Sequence, residues 1–216
     1  MKHQQILSCV DHTILKASAT WEEVQMLCEE AIRYKVASVC LPPSYVKRVH
    51  EKYGSSLAIC TVIGFPLGYN TTACKEAEIR EAVQNGATEL DVVVNLGDVK
   101  NGDFDKITKE LTVLKKAIGD KILKVIIETC FLSEAEKQAL CKCVTESGAD
   151  YIKTSTGFGT DGAQLSDIEL FKRYIGPGVK IKASGGIRSK EDFEAFYNAG
   201  CHRIGASAAI KVLGDS

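Results

Sequence analysis

The chain has 216 residues, a size at which (β/α)8 barrels commonly form one domain. Its 45% apolar residues are ample for a core, and a net charge of -1 excludes a global field favouring nucleic acid or a membrane surface. No apolar run is long enough to span a bilayer, and Met1-Lys2-His3-Gln4-Gln5 lacks the apolar stretch of a signal peptide, so the expected location is cytoplasmic.

Strand-like and helix-like segments alternate from end to end. The first expected strand covers 8–15 and is followed by a helical stripe of Val24, Leu27, Cys28, Ala31 and Ile32. Strands are then expected at 36–40, 57–63 and 89–94, and a second stripe follows in Phe104, Ile107, Leu111, Leu114 and Ile118. The strand at 122–128 leads into Ser133 and Glu136, spaced as a capping box, and a third stripe of Leu132, Ala135, Ala139, Leu140, Cys143 and Val144. Strands at 151–153, 179–183 and 202–206 complete a set of eight.

Runs such as Val92-Val93-Val94 and Val125-Ile126-Ile127 are apolar on both faces, as in parallel sheets covered by helices. Eight βα repeats of roughly 20 to 35 residues match an α/β fold of the TIM (β/α)8 barrel type, with residues 1–216 as a single domain. The rival is a doubly wound open sheet, but no G-x-G-x-x-G follows the first strand. The nine cysteines include no C-x-x-C, and Cys141 and Cys143 face different sides of a helix. The thiols are therefore expected to be small hydrophobes of a reduced interior, with no metal and no cofactor.

The chemistry lies in lysines placed inside strands. Tyr151-Ile152-Lys153-Thr154-Ser155-Thr156-Gly157-Phe158-Gly159 ends a strand on a lysine and continues into a glycine loop. Val179-Lys180-Ile181-Lys182-Ala183-Ser184-Gly185-Gly186-Ile187-Arg188 repeats the pattern on the next strand. Burying a lysine is costly, and the usual relief is a lowered pKa, which makes the amine a nucleophile for carbonyl groups. A second cation nearby adds to that effect. Strand alternation puts Lys180 and Lys182 on one face, and this period alone allows either to be the neighbour of Lys153.

In Glu89-Leu90-Asp91-Val92-Val93-Val94, the apolar face suits the helix layer, so Asp91 is expected to point into the barrel and pair with the lysines. The competing reading of these three groups is a structural ion network. Asp11 is a further candidate for binding substrate hydroxyls or orienting other groups, weighed against a carboxylate that caps a loop. His12 alternates to the opposite face and reads as structural. Gly157 and Gly159, Gly185-Gly186 and Gly205-Ala206-Ser207 follow the last three strands, where barrels often bind phosphate, with Arg188 or the Ser207 hydroxyl as additional donors.

Together with Asp11-His12-Thr13, Thr61-Val62-Ile63-Gly64-Phe65-Pro66, Lys124-Val125-Ile126-Ile127-Glu128-Thr129 and Arg203-Ile204-Gly205-Ala206-Ser207, these motifs make the chain resemble the deoxyribose-phosphate aldolases. The resemblance runs through nearly the whole chain. It implies a class I aldolase of deoxyribonucleotide catabolism that reversibly cleaves 2-deoxy-D-ribose 5-phosphate to D-glyceraldehyde 3-phosphate and acetaldehyde. By that likeness Lys153 forms the Schiff base, Lys182 lowers its pKa and shares in proton transfer, and Asp91 is the acid/base partner. The likeness also puts Asp11, Cys40, Thr154, Gly157, Gly185, Gly186, Arg188, Gly205 and Ser207 around the substrate. An ordinary lysine is neutral in only about one molecule in two thousand at pH 7, so a pKa near 7 would raise the reactive amine by about 10³.

Two departures stand out. Some members end in a tail with a terminal tyrosine implicated in proton transfer, whereas this sequence closes on Lys211-Val212-Leu213-Gly214-Asp215-Ser216. The expectation is that the proton step runs on water and Asp91, or that turnover is slower. Ala208 also stands where some relatives carry a second serine, which removes one phosphate donor. The expected partners are a small phosphorylated sugar and further copies of this chain, as a homodimer or homotetramer, with no nucleic acid and no membrane. Other readings are a phosphosugar isomerase or synthase on the same barrel, and a non-catalytic sensor of sugar phosphate.

Overall fold

The computed structural model describes residues 2–214; Met1, Asp215 and Ser216, within the terminal segments read above, lie outside the described residues. The chain runs α1 (Lys2–Leu7), β1 (Val10–Thr13), α2 (Trp21–Tyr34), β2 (Ser38–Leu41), α3 (Val46–Tyr53), β3 (Ile59–Ile63) and α4 (Thr72–Gln84). It continues through β4 (Glu89–Val93), α5 (Leu96–Asn101), α6 (Phe104–Ile118), β5 (Ile122–Ile126), α7 (Glu134–Glu146) and β6 (Tyr151–Lys153). The last elements are α8 (Leu165–Tyr174), β7 (Lys180–Ser184), α9 (Lys190–Asn198), β8 (Arg203–Ala206) and α10 (Ala209–Leu213).

All eight strands are parallel and pair in sequence order, and β8 returns to β1 through Val10↔Ile204, Asp11↔Gly205 and His12↔Ala206. This closure makes the fold a (β/α)8 barrel and excludes the open doubly wound sheet. Several strands are shorter than expected. The first begins at Val10 because Ser8 and Cys9 still donate to Gln4 and Ile6 in the turn out of α1. The fifth stops at Ile126, and Glu128 beyond it takes a left-handed φ of 53°. β7 instead runs one residue further than expected, to Ser184, so Lys182 sits inside it rather than at its end.

The helices dock by their apolar stripes, with two corrections. Ile32 stands 40% exposed, because the buried arc of α2 ends at Ala31. Ala135 is exposed, whereas Cys141 and Cys143 are both buried, since α7 is flanked by α6 and α8 and hides a wide arc. The capping box of Ser133 and Glu136 is formed, and Thr20–Glu23 and Ser189–Asp192 repeat the device on α2 and α9.

The two faces of the barrel wall differ in kind. Outward residues such as Val39, Leu90, Val92, Val125, Ile152, Ile181 and Ile204 join one continuous apolar layer with the helices. Burial of that layer is the main driving force for closing the barrel. His12 and Thr61 are polar exceptions: the His12 Nε2 meets Glu30 of α2 at 2.8 Å, a structural contact as expected, and the Thr61 hydroxyl donates to the Leu41 carbonyl at 2.9 Å. The inward residues are largely charged, so the centre of the molecule is polar.

All nine cysteines are free thiols, six of them buried, while Cys74 is exposed on α4. Burial pushes Cys28, Cys141 and Cys201 up to about 12. A folded thiol raised in this way contributes stability that is complete below the unfolded value of about 8.5 and is lost as pH climbs toward 12. Native protein treated with an aromatic disulfide reagent is expected to release thiol quickly at Cys74 and only on unfolding at the other three. Unfolding midpoints in urea are expected to fall steadily as pH rises above about 8.5. Rapid labelling of the three in the folded state would contradict their burial.

Candidate active site

Alternation along the strands stacks the inward side chains in layers taken from alternate strands. The lowest layer holds Ser38, Glu89, Tyr151 and Arg203, of β2, β4, β6 and β8. Above it come Asp11, Cys60, Lys124 and Lys182, of β1, β3, β5 and β7. The third layer is Cys40, Asp91, Lys153 and Gly205. Such layers are ordinarily filled by Val, Ile and Leu. Here three carboxylates and four cations occupy them.

Asp91 is the centre of this set. Its Oδ2 accepts from Lys153 Nζ at 2.7 Å and from Lys182 Nζ at 2.7 Å. Its Oδ1 accepts from Lys124 Nζ at 3.0 Å and lies 3.2 Å from Cys60 Sγ. Lys153 and Lys182 are direct register partners across β6 and β7. Lys180, two residues earlier, is exposed, with its Nζ 5.7 Å from the centre of the Tyr151 ring. The geometry therefore selects Lys182 where the strand period left a choice.

A second tier supports the first. Asp11 accepts from Lys182, from Arg203 and from the Ser38 hydroxyl at 2.8 Å. Arg203 clasps Glu89 with bonds of 3.0 and 2.8 Å, and Lys124 pairs with Glu89 and stands 3.6 Å from Asp11. Burial alone would raise the carboxyl values of Asp11 and Asp91. The surrounding cations outweigh it and hold both below the ordinary carboxylate range. Burial likewise opposes the charge of Lys182 and Lys124, yet the facing carboxylates keep both above the ordinary lysine value. A hydrogen bond from Cys60 lowers the Cys40 thiol, and burial raises that of Cys60.

Above this network opens a cleft of about 490 Å³. Lys153 forms part of its floor, and the loops after β1, β6, β7 and β8 form its walls. Gly157, Gly185, Gly186, Arg188, Gly205 and Ser207 all line it. Gly185 and Gly186 have φ of +83° and +77°, a left-handed path that favours glycine. A Cβ on Gly205 would sit 3.1 Å from Lys182 Cε, so this glycine also leaves the space through which Lys182 passes.

Residues 5–211 match the model of the DeoC/LacD family of aldolases. The chain belongs to that family. The deoxyribose-phosphate aldolase of Clostridioides difficile (strain 630) is 59% identical over 213 residues, spanning 99% of this chain and 96% of that one. The enzyme of the same name from Clostridium botulinum (strain Alaska E43 / Type E3) is 56% identical over the same shares. Among solved structures, the aldolase QR15 matches with a TM-score of 0.93 and 36% identity over 97% of this chain and 95% of that one. The deoxyribose phosphate aldolase of Aeropyrum pernix, whose structure is described as a unique tetramer, matches at 0.89 and 32% over 98% and 91%.

The aldolase thus brings Lys153, Lys182 and Asp91 together as a contiguous set. Asp11 and Cys40 are buried below or beside the cleft rather than lining it. Thr154 is also buried, and its hydroxyl staples β6 to β7 by donating to the Ser184 carbonyl at 3.2 Å and accepting from the Ser184 amide at 3.1 Å. Sequence reasoning missed Glu89, Lys124 and Arg203 as parts of the network. The signal was present, because the period that points Asp91 inward does the same for Glu89 two residues earlier. It also missed Glu128, whose carboxylate accepts from the Thr156 amide at 3.0 Å and from its hydroxyl, fixing the loop after Lys153.

The aldolase is expected to depend on the lower tier for stability. Removing one partner of a buried pair leaves the other charge uncompensated, at about 3–5 kcal/mol. Arg203→Leu is expected to lower the unfolding free energy by about that amount in urea titration. A loss under about 1 kcal/mol would show that Glu89 and Asp11 do not need Arg203. Because Asp11 and Asp91 titrate below the unfolded value of about 4, their contribution is complete above it and lost as pH falls further.

Proposed function

We propose that this aldolase reversibly cleaves 2-deoxy-D-ribose 5-phosphate to D-glyceraldehyde 3-phosphate and acetaldehyde through a Schiff base on Lys153. The observation that carries the reading is that Lys153 is the member of the charged network that also faces the cleft. The deoxyribose-phosphate aldolase names of the relatives support the substrate.

The Lys153 amine attacks the C1 aldehyde of the open-chain sugar, and loss of water leaves an iminium. That cation takes up the electron pair released when the C2–C3 bond breaks, while the C3 hydroxyl gives up its proton. The three-carbon product leaves as an aldehyde, the two-carbon enamine is protonated at C2, and water returns acetaldehyde and the free amine. Asp91 is the group placed to take and return the proton, directly or through a water, because its Oδ2 already meets both Lys153 and Lys182. Lys182, held as an ammonium by Asp11 and Asp91, supplies the neighbouring positive charge and a proton donor. With Lys153 neutral, the network balances three carboxylates against Lys124, Lys182 and Arg203.

The glycine loops and Arg188 offer N–H donors and a positive charge to the 5-phosphate. Contacts so far from C1 position the reacting carbons over Lys153.

Incubation with acetaldehyde or the sugar phosphate, reduction with borohydride and peptide mass spectrometry are expected to place the adduct on Lys153. Lys153→Ala is expected to abolish both the adduct and turnover while keeping the fold; near-normal turnover by this variant would end the Schiff-base scheme. Arg188→Ala is expected to raise KM for the phosphorylated sugar about ten-fold, in line with loss of one charge-assisted hydrogen bond, and to leave unphosphorylated deoxyribose unaffected. An equal loss on both sugars would remove Arg188 from the phosphate site.

A further inference from the structure

Lys124 reaches none of the cleft. It is fully buried on β5, in the layer beneath Lys153, and no step of the reaction above uses it. A lysine with no exposed surface is costly, and its partners show where that cost is recovered. Its ammonium meets Asp91 Oδ1 at 3.0 Å, pairs with Glu89, donates to Cys60 Sγ at 3.3 Å and lies 3.6 Å from Asp11 Oδ2. Glu89 and Asp11 have other cations. Arg203 clasps Glu89 through both nitrogens, and Asp11 is held by Lys182, Arg203 and Ser38. Among the described residues, the hydrogen-bond partners of Asp91 Oδ1 are Lys124 and the Cys60 thiol.

The two oxygens of Asp91 are therefore divided between tiers. Oδ1 is tied downward to Lys124, and Oδ2 is turned upward to Lys153 and Lys182. We propose that Lys124 is a positioning residue for proton transfer, fixing the orientation and the charge of Asp91 from beneath without touching substrate. The proposal rests on the Schiff-base reading of Lys153.

The assignment accounts for the strand placement as well. Asp91 and Lys124 are register partners on β4 and β5, so their Cα positions are fixed by backbone pairing. Rotation of the Asp91 carboxylate about its own bond is the remaining freedom, and a bond to Oδ1 removes it. The groups facing this pair come from every neighbouring strand: Asp11 of β1, Cys40 of β2 and Cys60 of β3. From the other side they are Glu89 of β4, Tyr151 and Lys153 of β6, Lys182 of β7 and Arg203 of β8. Burial opposes the charge of Asp91, and Lys124 is among the cations that hold its carboxyl below the ordinary range, together with Lys153 and Lys182. Its loss is expected to make the carboxylate both easier to protonate and free to turn.

The test is Lys124→Met, which keeps length and removes charge. With Lys153 neutral the network then holds three carboxylates against Lys182 and Arg203, so the melting temperature is expected to fall while the fold survives, as checked by thermal melting. Borohydride trapping of acetaldehyde on Lys153 is expected to persist, with KM for the sugar phosphate changed less than about three-fold. The expected loss is in kcat, by about 10- to 100-fold, within the range for general acid–base catalysis. The acid limb of the kcat profile is expected to move up by about one pH unit or more, because a carboxylate deprived of an adjacent cation protonates more readily. Lys124→Gln, which returns a donor without charge, is expected to recover part of kcat while the limb stays displaced, and it serves as the reading if the Met variant does not fold. An unmoved acid limb in a folded variant, whether kcat is kept or falls, overturns the proposal. Absence of trapping on Lys153 in the parent protein would instead strike the Schiff-base reading itself.

Discussion

One carboxylate organises the inside of this barrel. Asp91 is fully buried, and the Nζ atoms of three lysines from three different strands converge on its two oxygens. An isolated carboxylate would not remain charged in such a place, and neither Lys124 nor Lys182 would remain charged without an anion. Each makes the others tolerable. The arrangement can exist only if the barrel closes in the right register, since β4, β5, β6 and β7 must deliver their side chains to a single point. On the proposed role of Lys153, stability and reactivity are set by the same contacts.

The division of labour between the two faces of the wall follows from this. The outer face supplies the hydrophobic burial that closes the sheet, and its residues join the apolar layer of the helices. The inner face is thereby freed from the ordinary task of a barrel core. Within it, Glu89, Lys124 and Asp11 of the lower tiers are sealed and Arg203 is half-buried, and the top layer meets the cleft. A rigid charged floor under a solvent-facing amine is the setting that proton transfer needs, because little has to reorganise as charge moves. The loops above differ in character. Glycines with left-handed backbone, and Glu128 holding Thr156, shape the walls of the cleft.

Much of this was legible in the sequence, and the reason is periodicity. Period-two alternation pointed Asp91 inward, and continuous apolar runs such as Val92-Val93-Val94 pointed to a sheet covered on its outer side. Lysines inside strands were anomalous enough to mark the site. What stayed hidden depended on distances between strands far apart in the chain. Nothing local in Arg203 says that it clasps Glu89 across 114 positions, nor that Lys182 bonds Asp11 across 171. Ile32 and Ala135 were misplaced because helix period gives the centre of a buried arc but not its width. Cys141 and Cys143 are both buried because flanking helices widened that arc.

Gly205 carries a last consequence. Its missing side chain is occupied by the stem of Lys182 arriving from the adjacent strand. The two positions therefore form a lock of complementary shapes, one residue protruding and the other receding. A Cβ at 205 would press on Ser184 Cβ at 3.0 Å and on Lys182 Cε at 3.1 Å, so a side chain there has to displace two neighbours on β7. Variation on β8 is in this way governed by the reach of a side chain rooted on β7, and a redesign of the mouth has to treat the two strands as one unit.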